Sequence, residues 1–301
     1  MRLIDVFAAS PALFIGACGV VGLLVGSFLN VVIFRLPIML QRQWRAECEG
    51  LAADAGATTT AAAPRFNLVV PRSACPACQV PISAWQNLPI LSFLLLKGRC
   101  RACSAPISLR YPVIEGLTGL MSAAVAWNFG FGGAALAAIV LTWFLIALAF
   151  IDIDHQLLPA NLTLPLLWLG LLVSLWGPGE AGQSIPVELR SSVIGAGGGY
   201  ATLWSVYHLF RLATGKEGMG HGDFKLLAAL GAWLGWQMLL HIVLLSAAVG
   251  AVVGIIMLSI QGRGRATPVA FGPFLAAAGW LMLMLGDEIV GRYMSLFTPR
   301  S

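Results

Sequence analysis

Charge is what this sequence has least of. Only 10% of its 301 residues are Asp, Glu, Lys or Arg, while 58% are hydrophobic, and the mean hydropathy is +0.85. A soluble globular domain carries about 25% charged and about 45–50% apolar residues. A soluble core cannot hide this much apolar surface, so the soluble globular classes are excluded and the solvent is lipid. A second absence lies near the N-terminus. The apolar run from Ile4 to Leu36 is not followed by a small-residue cleavage site before polar sequence begins. It is also too long for a signal-peptide core of about 7–15 residues. It reads as a retained first spanning helix. With so few charges, the polar minority becomes the informative part.

Further apolar runs lie near 113–128, 133–151, 161–176, 188–210, 224–240, 243–260 and 269–286. A span needs about 20 apolar residues. The pattern predicts an all-α membrane protein with about eight transmembrane helices. The 224–240 run is marginal and is interrupted by Gly231 and Gly235. Residues 37–110 differ sharply from the rest. They are rich in arginine and contain the low-complexity piece AADAGATTTAAAP, which reads as a linker. Three parts are expected: 1–36 as the first transmembrane helix, 37–111 as a large polar loop, and 112–301 as a membrane core.

The basic residues orient the chain. If the large loop is inside, the inner segments are 35–110, 152–160, 211–225 and 261–268. Of the 18 Lys and Arg, only Arg2, Arg190, Arg292 and Arg300 then fall elsewhere. The positive-inside rule places the large loop in the cytoplasm. In such a chain the formal net charge of +5 does not point to a nucleic-acid partner; its distribution between loops carries the meaning.

Four of the six cysteines form two close pairs, CPAC at Cys75 and Cys78 and CRAC at Cys100 and Cys103, separated by 21 residues. Two C-x2-C pairs can present four thiolates to one tetrahedral zinc ion. Disulfides compete as a reading, but a cytoplasmic loop is reducing. A redox pair is a further alternative; two pairs at this spacing favour structural zinc, which would fold a loop too small and polar for its own core. Four protein ligands leave no open position for catalysis on the metal.

Two acids mark the inner membrane edge. Asp152, in LAFIDIDHQLLP, ends one apolar run, and Asp223, in GMGHGDFKLL, begins another. An interfacial acid can simply be solvated, and one in the first turn of a helix can favour the helix dipole. Two on one side of the membrane suggest a pair. Neighbouring carboxyls share a proton, so one can act as base on a water while the other protonates a carbonyl. Asp154 competes with Asp152 as the partner of Asp223, since residues i and i+2 do not share a helix face. Glu115, inside RYPVIEGLTGL, invites either a paired or a functional role. Ser27 and Asn30 read as helix-packing residues.

Five blocks now converge: GSFLNVVIFRLP at 26–37, CPAC with CRAC, RYPVIE at 110–115, IDIDHQLLP at 151–159, and GKEGMGHGDFKLLAALGAWLGW at 215–236. Together and in this order they resemble the type IV prepilin peptidases. The resemblance implies a bifunctional enzyme. It would cut the basic leader of prepilins and pseudopilins after a glycine on the cytoplasmic side of the bacterial inner membrane. It would then methylate the new N-terminal residue with S-adenosylmethionine. By the same resemblance Asp152 and Asp223 are the catalytic aspartates, Cys75, Cys78, Cys100 and Cys103 hold Zn2+, and Gly98 in KGRC is linked to methyl transfer. Ala160 departs from the family, which often has an aspartate after LLP; neither catalytic position changes. The rival from another class is a proton-coupled transporter. That reading favours acids near the midplane and two similar halves with broken helices, and this sequence has neither.

Overall fold

A computed structural model describes residues 3–54, 66–83, 87–177, 185–216, 218–261 and 270–297. The all-α part of the expected class holds. Among the described residues there are helices and no strand, apart from two isolated bridges. In chain order they are α1 (Leu3–Ala9), α2 (Pro11–Asp54), α3 (Leu91–Leu95), α4 (Arg110–Phe129), α5 (Gly133–His155), α6 (Ala160–Ser174), α7 (Leu189–Thr214), α8 (His221–Leu234), α9 (Trp236–Gln261) and α10 (Gly272–Phe297). Among the described residues, three helical stretches are long and apolar enough to cross a membrane: Pro11–Gly50, Gly133–His155 and Trp236–Met257. Ala160–Ser174 and Gly272–Gly286 are apolar but shorter. Several apolar helices of this kind fit a multi-pass membrane protein.

The chain divides into two compact units, one of Ala12–Ala124 and one of Met1–Pro11 with Val125–Ser301. In the first unit, α2 runs for 44 residues, past Leu36 and through Pro37. A proline removes one helical hydrogen bond, but the apolar Leu36 and Leu40 on either side are buried and hold the helix. Most of the AADAGATTTAAAP segment lies outside the described residues. α2 packs on α4 through small residues. A Cβ at Gly22 would lie 2.5 Å from the Ser122 hydroxyl, and one at Gly26 would lie 2.8 Å from the Glu115 Cα. In lipid, where apolar surface gains nothing from leaving the solvent, such close backbone approach drives helix association. Asn30 donates to the carbonyls of Gly26 and Tyr111, at 3.3 and 3.2 Å, which fits the packing role.

The second unit centres on α8. Nearly every residue from Asp223 to Leu234 is buried. Its sequence, FKLLAALGAWL, is apolar apart from the half-buried Lys225, as a helix enclosed by others must largely be. α7 lies closest, with Gly195 and Gly199 against the α8 backbone. Ser192 donates to the Ala232 carbonyl at 2.5 Å. α6 closes a second side, where the Trp233 indole donates to Leu166 O at 2.8 Å and leaves room only for Gly170 opposite. α10 closes a third with Gly279 against Leu230. Fourteen residues rise about 21 Å at 1.5 Å each, short of the ~30 Å hydrocarbon core. The apolar run 224–240 is thus two helices, α8 and the start of α9, broken at Gly235, whose φ is +80°.

Candidate active site and metal centre

Asp152 lies in the last turn of α5. The helix stops at Gln156, whose φ of 51° is left-handed and whose N–H returns to Asp152 O. Ile151 and Asp152 are buried, while Ile153, Asp154 and His155 are exposed. The choice left open between the two acids is thereby a choice of helix face, and the inward face carries Asp152. Its Oδ2 accepts the backbone N–H of Gly272, the first residue of α10, at 2.9 Å.

Asp223 lies in the first turn of α8, which starts after an extended Gly220 with no side-chain cap. It is 7% exposed. Its Oδ1 is buried and has no hydrogen-bond partner. The turn is anchored by rings. Phe224 is fully buried and meets Tyr200, Tyr207 and His221 edge-on, at 5.9, 5.7 and 5.3 Å between centroids. Such edge-to-face pairs fix orientation as well as burying area.

Leu158 links the two acids. Its side chain is wedged between Gly222, where a Cβ would lie 2.6 Å from the Leu158 Cβ, and Gly272, where one would lie 3.1 Å from its Cδ1. Gly222 precedes Asp223, and Gly272 touches Asp152. The carboxyls are close enough for the charge of Asp152 to act on Asp223. Two buried acids in electrostatic range of each other bear one negative charge more easily than two, so one can serve as base and the other as acid. Gly272 has no counterpart in the sequence reading. Its only signal was a Gly-Pro pair opening an apolar run.

The four paired cysteines lie in the other unit, and each pair forms the same knuckle. Cys75 N–H donates to Val80 O and Gln79 N–H to Cys75 O, and Ala74 bridges Pro81. Cys100 N–H donates to Ala105 O and Ser104 N–H to Cys100 O, and Arg99 bridges Pro106. Gln79 and Ser104 both have φ of 59°. The four sulfurs lie within 4.8 Å of one another, with Cys75–Cys103 at 3.8 Å and Cys78–Cys100 at 4.0 Å. A disulfide needs ~2.05 Å. Zn–S bonds of ~2.3 Å in a tetrahedron put sulfurs about 3.8 Å apart, so the donor set fits a zinc ion in type and spacing. Backbone N–H groups of Cys78 and then Ala77 bring the Cys75 thiol down to about 6. Cys103 is pushed up to about 12. There the Ala105 N–H works against the shift, and the hydrogen bond with the Cys78 sulfur, together with burial, drives it. Four adjoining thiols cannot all ionise unaided; a divalent cation removes that conflict.

Gly98, between α3 and Cys100, has φ of +68°, and a Cβ there would lie 3.0 Å from the Phe93 ring. It receives Ile107 N–H and donates to Phe93 O, so it is a turn that ties α3 to the second knuckle. Gly98→Ala is expected to cost about 1–2 kcal/mol of local stability, the price of a left-handed residue with a side chain. Faster amide exchange over 93–107 would register it. Glu115 has a structural partner: its Oε2 accepts Ile90 N–H at 2.8 Å, and Ser27 reaches the same carboxyl. It pins the α3 segment and α2 to α4.

Comparison with known proteins covers most of this chain. Residues 20–129, with the four paired cysteines, match the bacterial peptidase A24 N-terminal domain. Residues 139–255, with Asp152 and Asp223, match the type IV leader peptidase family. A prepilin leader peptidase/N-methyltransferase of Stutzerimonas stutzeri is 51% identical over 298 residues, 98% of each chain. One of Aeromonas hydrophila is 52% identical over 297 residues, 98% of this chain and 99% of its own. One of Neisseria gonorrhoeae is 47% identical over 275 residues, 90% of each. No solved structure matches.

Proposed function

The chain belongs to the type IV leader peptidase family, and from that premise we propose that it is an aspartyl endopeptidase of the bacterial inner membrane that cuts the leader from prepilins and pseudopilins after a glycine and then methylates the new N-terminus. The observation that carries the peptidase reading is the pairing of Asp152 and Asp223 at adjoining helix ends, both buried, around Leu158. One carboxylate takes a proton from water as the water oxygen attacks the scissile carbonyl carbon. The other acid gives its proton to the carbonyl oxygen. Collapse of the resulting diol breaks the C–N bond and returns a proton to the leaving amine.

Topology supports the choice of substrate. A prepilin has a basic leader in the cytoplasm and an apolar helix in the bilayer. The distribution of Lys and Arg favours a cytoplasmic side for the end of α5 and the start of α8, and on this reading the two acids stand at the depth of the scissile bond.

For methyl transfer the expected donor is S-adenosylmethionine, and Gly98 is a turn beside the second knuckle. The groove next to it, about 590 Å³, is lined by Leu95, Leu96, Lys97, Arg99, Arg101 and Ser104 along with Cys100. Three cations are a poor match for a sulfonium, so no methyl-transfer step is assigned to that groove. Zinc at Cys75, Cys78, Cys100 and Cys103 would supply a cross-link that folds the module. The protein is expected to purify with about one zinc per chain and to lose it in Cys100→Ser. Chelation should then open residues 66–109 to protease. A metal-free protein that resists protease there would end the structural-zinc reading.

The test of function is incubation of the detergent-purified full chain with a full-length prepilin. Mass spectrometry then reads the N-terminus with and without S-adenosylmethionine. The expected products are a chain cut after the leader glycine and, with the cofactor, the same chain carrying a methyl group. Folded protein that cuts no prepilin would return the transporter reading to the front.

A further inference from the structure

We infer that the backbone N–H of Gly272 is the positioning group that divides the roles of the two acids: it holds Asp152 as the ionised base and leaves Asp223 to carry the shared proton as the acid. This rests on the proposed peptidase dyad and goes one step past it.

The surroundings of the two carboxyls are unequal. Gly272 opens α10, so its N–H is one of the orphan donors of a helix start. It is spent on Asp152 Oδ2 at 2.9 Å, with both groups buried. The positive end of a 26-residue helix therefore faces that carboxylate. Asp223 has less. It lies in the first turn of its own helix, α8, and its carboxyl has one backbone hydrogen bond, at Gly220, that also favours the ionised form, so the difference between the two acids rests on the other oxygen. Its Oδ1 is buried and meets no donor. An anionic oxygen without solvent or partner costs more than the weak field of a helix start returns. The neutral acid is the form that this pocket tolerates. Asp152 then accepts the proton of the attacking water, and Asp223 donates to the scissile carbonyl oxygen. Collapse of the diol returns one proton to Asp223 and passes the other from Asp152 to the departing amine nitrogen.

Only glycine permits the approach at 272. A Cβ there would lie 2.6 Å from Asp152 Oδ2, 3.2 Å from its Cγ and 3.1 Å from Leu158 Cδ1. Gly272→Ala is expected to push the carboxylate aside. kcat should fall about 10²-fold, as a displacement near 1 Å costs, with KM within about twofold.

The deciding readout is infrared difference spectroscopy of the full chain in lipid nanodiscs at neutral pH. Glu115 and other buried acids cancel in the differences. Wild type minus Asp223→Asn should lose a protonated-carboxyl band. Wild type minus Gly272→Ala should shift ionised-carboxylate bands and leave the protonated band in place. Loss of ionised-carboxylate bands in the first difference would overturn the assignment, and so would a moved protonated band in the second. If Gly272→Ala does not fold, the wild-type and Asp223→Asn spectra still decide on the first criterion. Failure here leaves the dyad standing. The dyad itself fails only if Asp152→Asn or Asp223→Asn still cuts prepilin.

Discussion

Asp152→Asn and Asp223→Asn are each expected to reduce prepilin cleavage by about 10²–10⁴-fold, the range that general acid–base groups contribute, while the chain stays folded. Asn keeps the shape of the side chain. At 152 its amide oxygen can still accept the Gly272 N–H, so the geometry of the α5 end survives. At 223 it places a neutral group where Oδ1 already lacks a partner. What is lost in both is the capacity to hold or deliver a proton. The control is Asp154→Asn. Asp154 is exposed on the other face of the same turn, and its replacement is expected to leave cleavage within about twofold, as surface changes usually do. A third arm separates the two activities. In the proposed mechanism the two acids act on the scissile bond alone, so both aspartate variants should still methylate a substrate supplied already cut. Single-turnover cleavage and methyl incorporation, both followed by mass spectrometry, read all three arms. Cleavage within tenfold of wild type in either variant would remove that acid from the mechanism, and a loss in Asp154→Asn would put Asp154 in its place.

The candidate site was legible in the sequence because each part of it is a local exception to an apolar background. An acid next to a long apolar run is conspicuous in a chain with so few charges, and Asp152 and Asp223 both stood out on that ground. The cysteine pairs were legible for the same reason: C-x2-C closes one knuckle by itself, and the structure builds both knuckles with the same hydrogen bonds. What could not be read was pairing at a distance. The contact of Gly272 with Asp152 joins residues 120 positions apart, and a glycine carries no chemical mark of what it approaches. The reading of Glu115 stayed open because its partner is a main-chain N–H, at Ile90, which has no sequence signature. Periodicity failed at α8 for a related reason. A helix enclosed by α6, α7 and α10 is apolar on nearly every face, so its hydrophobic pattern does not separate it from a lipid-facing span, and 224–240 read as one weak span. The run of α2 through Pro37 was hidden likewise: propensity opposes it, and packing at Leu36 and Leu40 decides.

Gly231→Val is expected to destabilise the chain severely and to lower cleavage with it. Gly231 and Gly195 face each other across α8 and α7 with main chain against main chain. A Cβ on Gly231 would meet the carbonyl group of Gly195 and lie 3.1 Å from its Cα, and one on Gly195 would meet the carbonyl group of Gly231 and lie 3.0 Å from the Gly235 carbonyl carbon. No flexible side chain stands there to move aside, so the helices must part. Overpacking ordinarily costs about 1–3 kcal/mol through shifted side chains; parting two backbones belongs at or above the top of that range. Once α7 leaves α8, the aromatic contacts of Tyr200 and Tyr207 with Phe224 are strained, and they hold the turn that carries Asp223. A displacement near 1 Å of a reacting group is worth about 10²-fold in rate, so cleavage should fall at least that far along with thermal stability. Gly197→Val supplies the comparison. It lies on α7 between Gly195 and Gly199, where a Cβ meets nothing within 4 Å, and it should leave both readouts near wild type. Thermal unfolding in detergent and single-turnover cleavage would test the pair. Equal behaviour of the two variants would mean that α7 and α8 do not hold Asp223 by close backbone packing, and the placement of the acid would then have to come from the aromatic contacts alone.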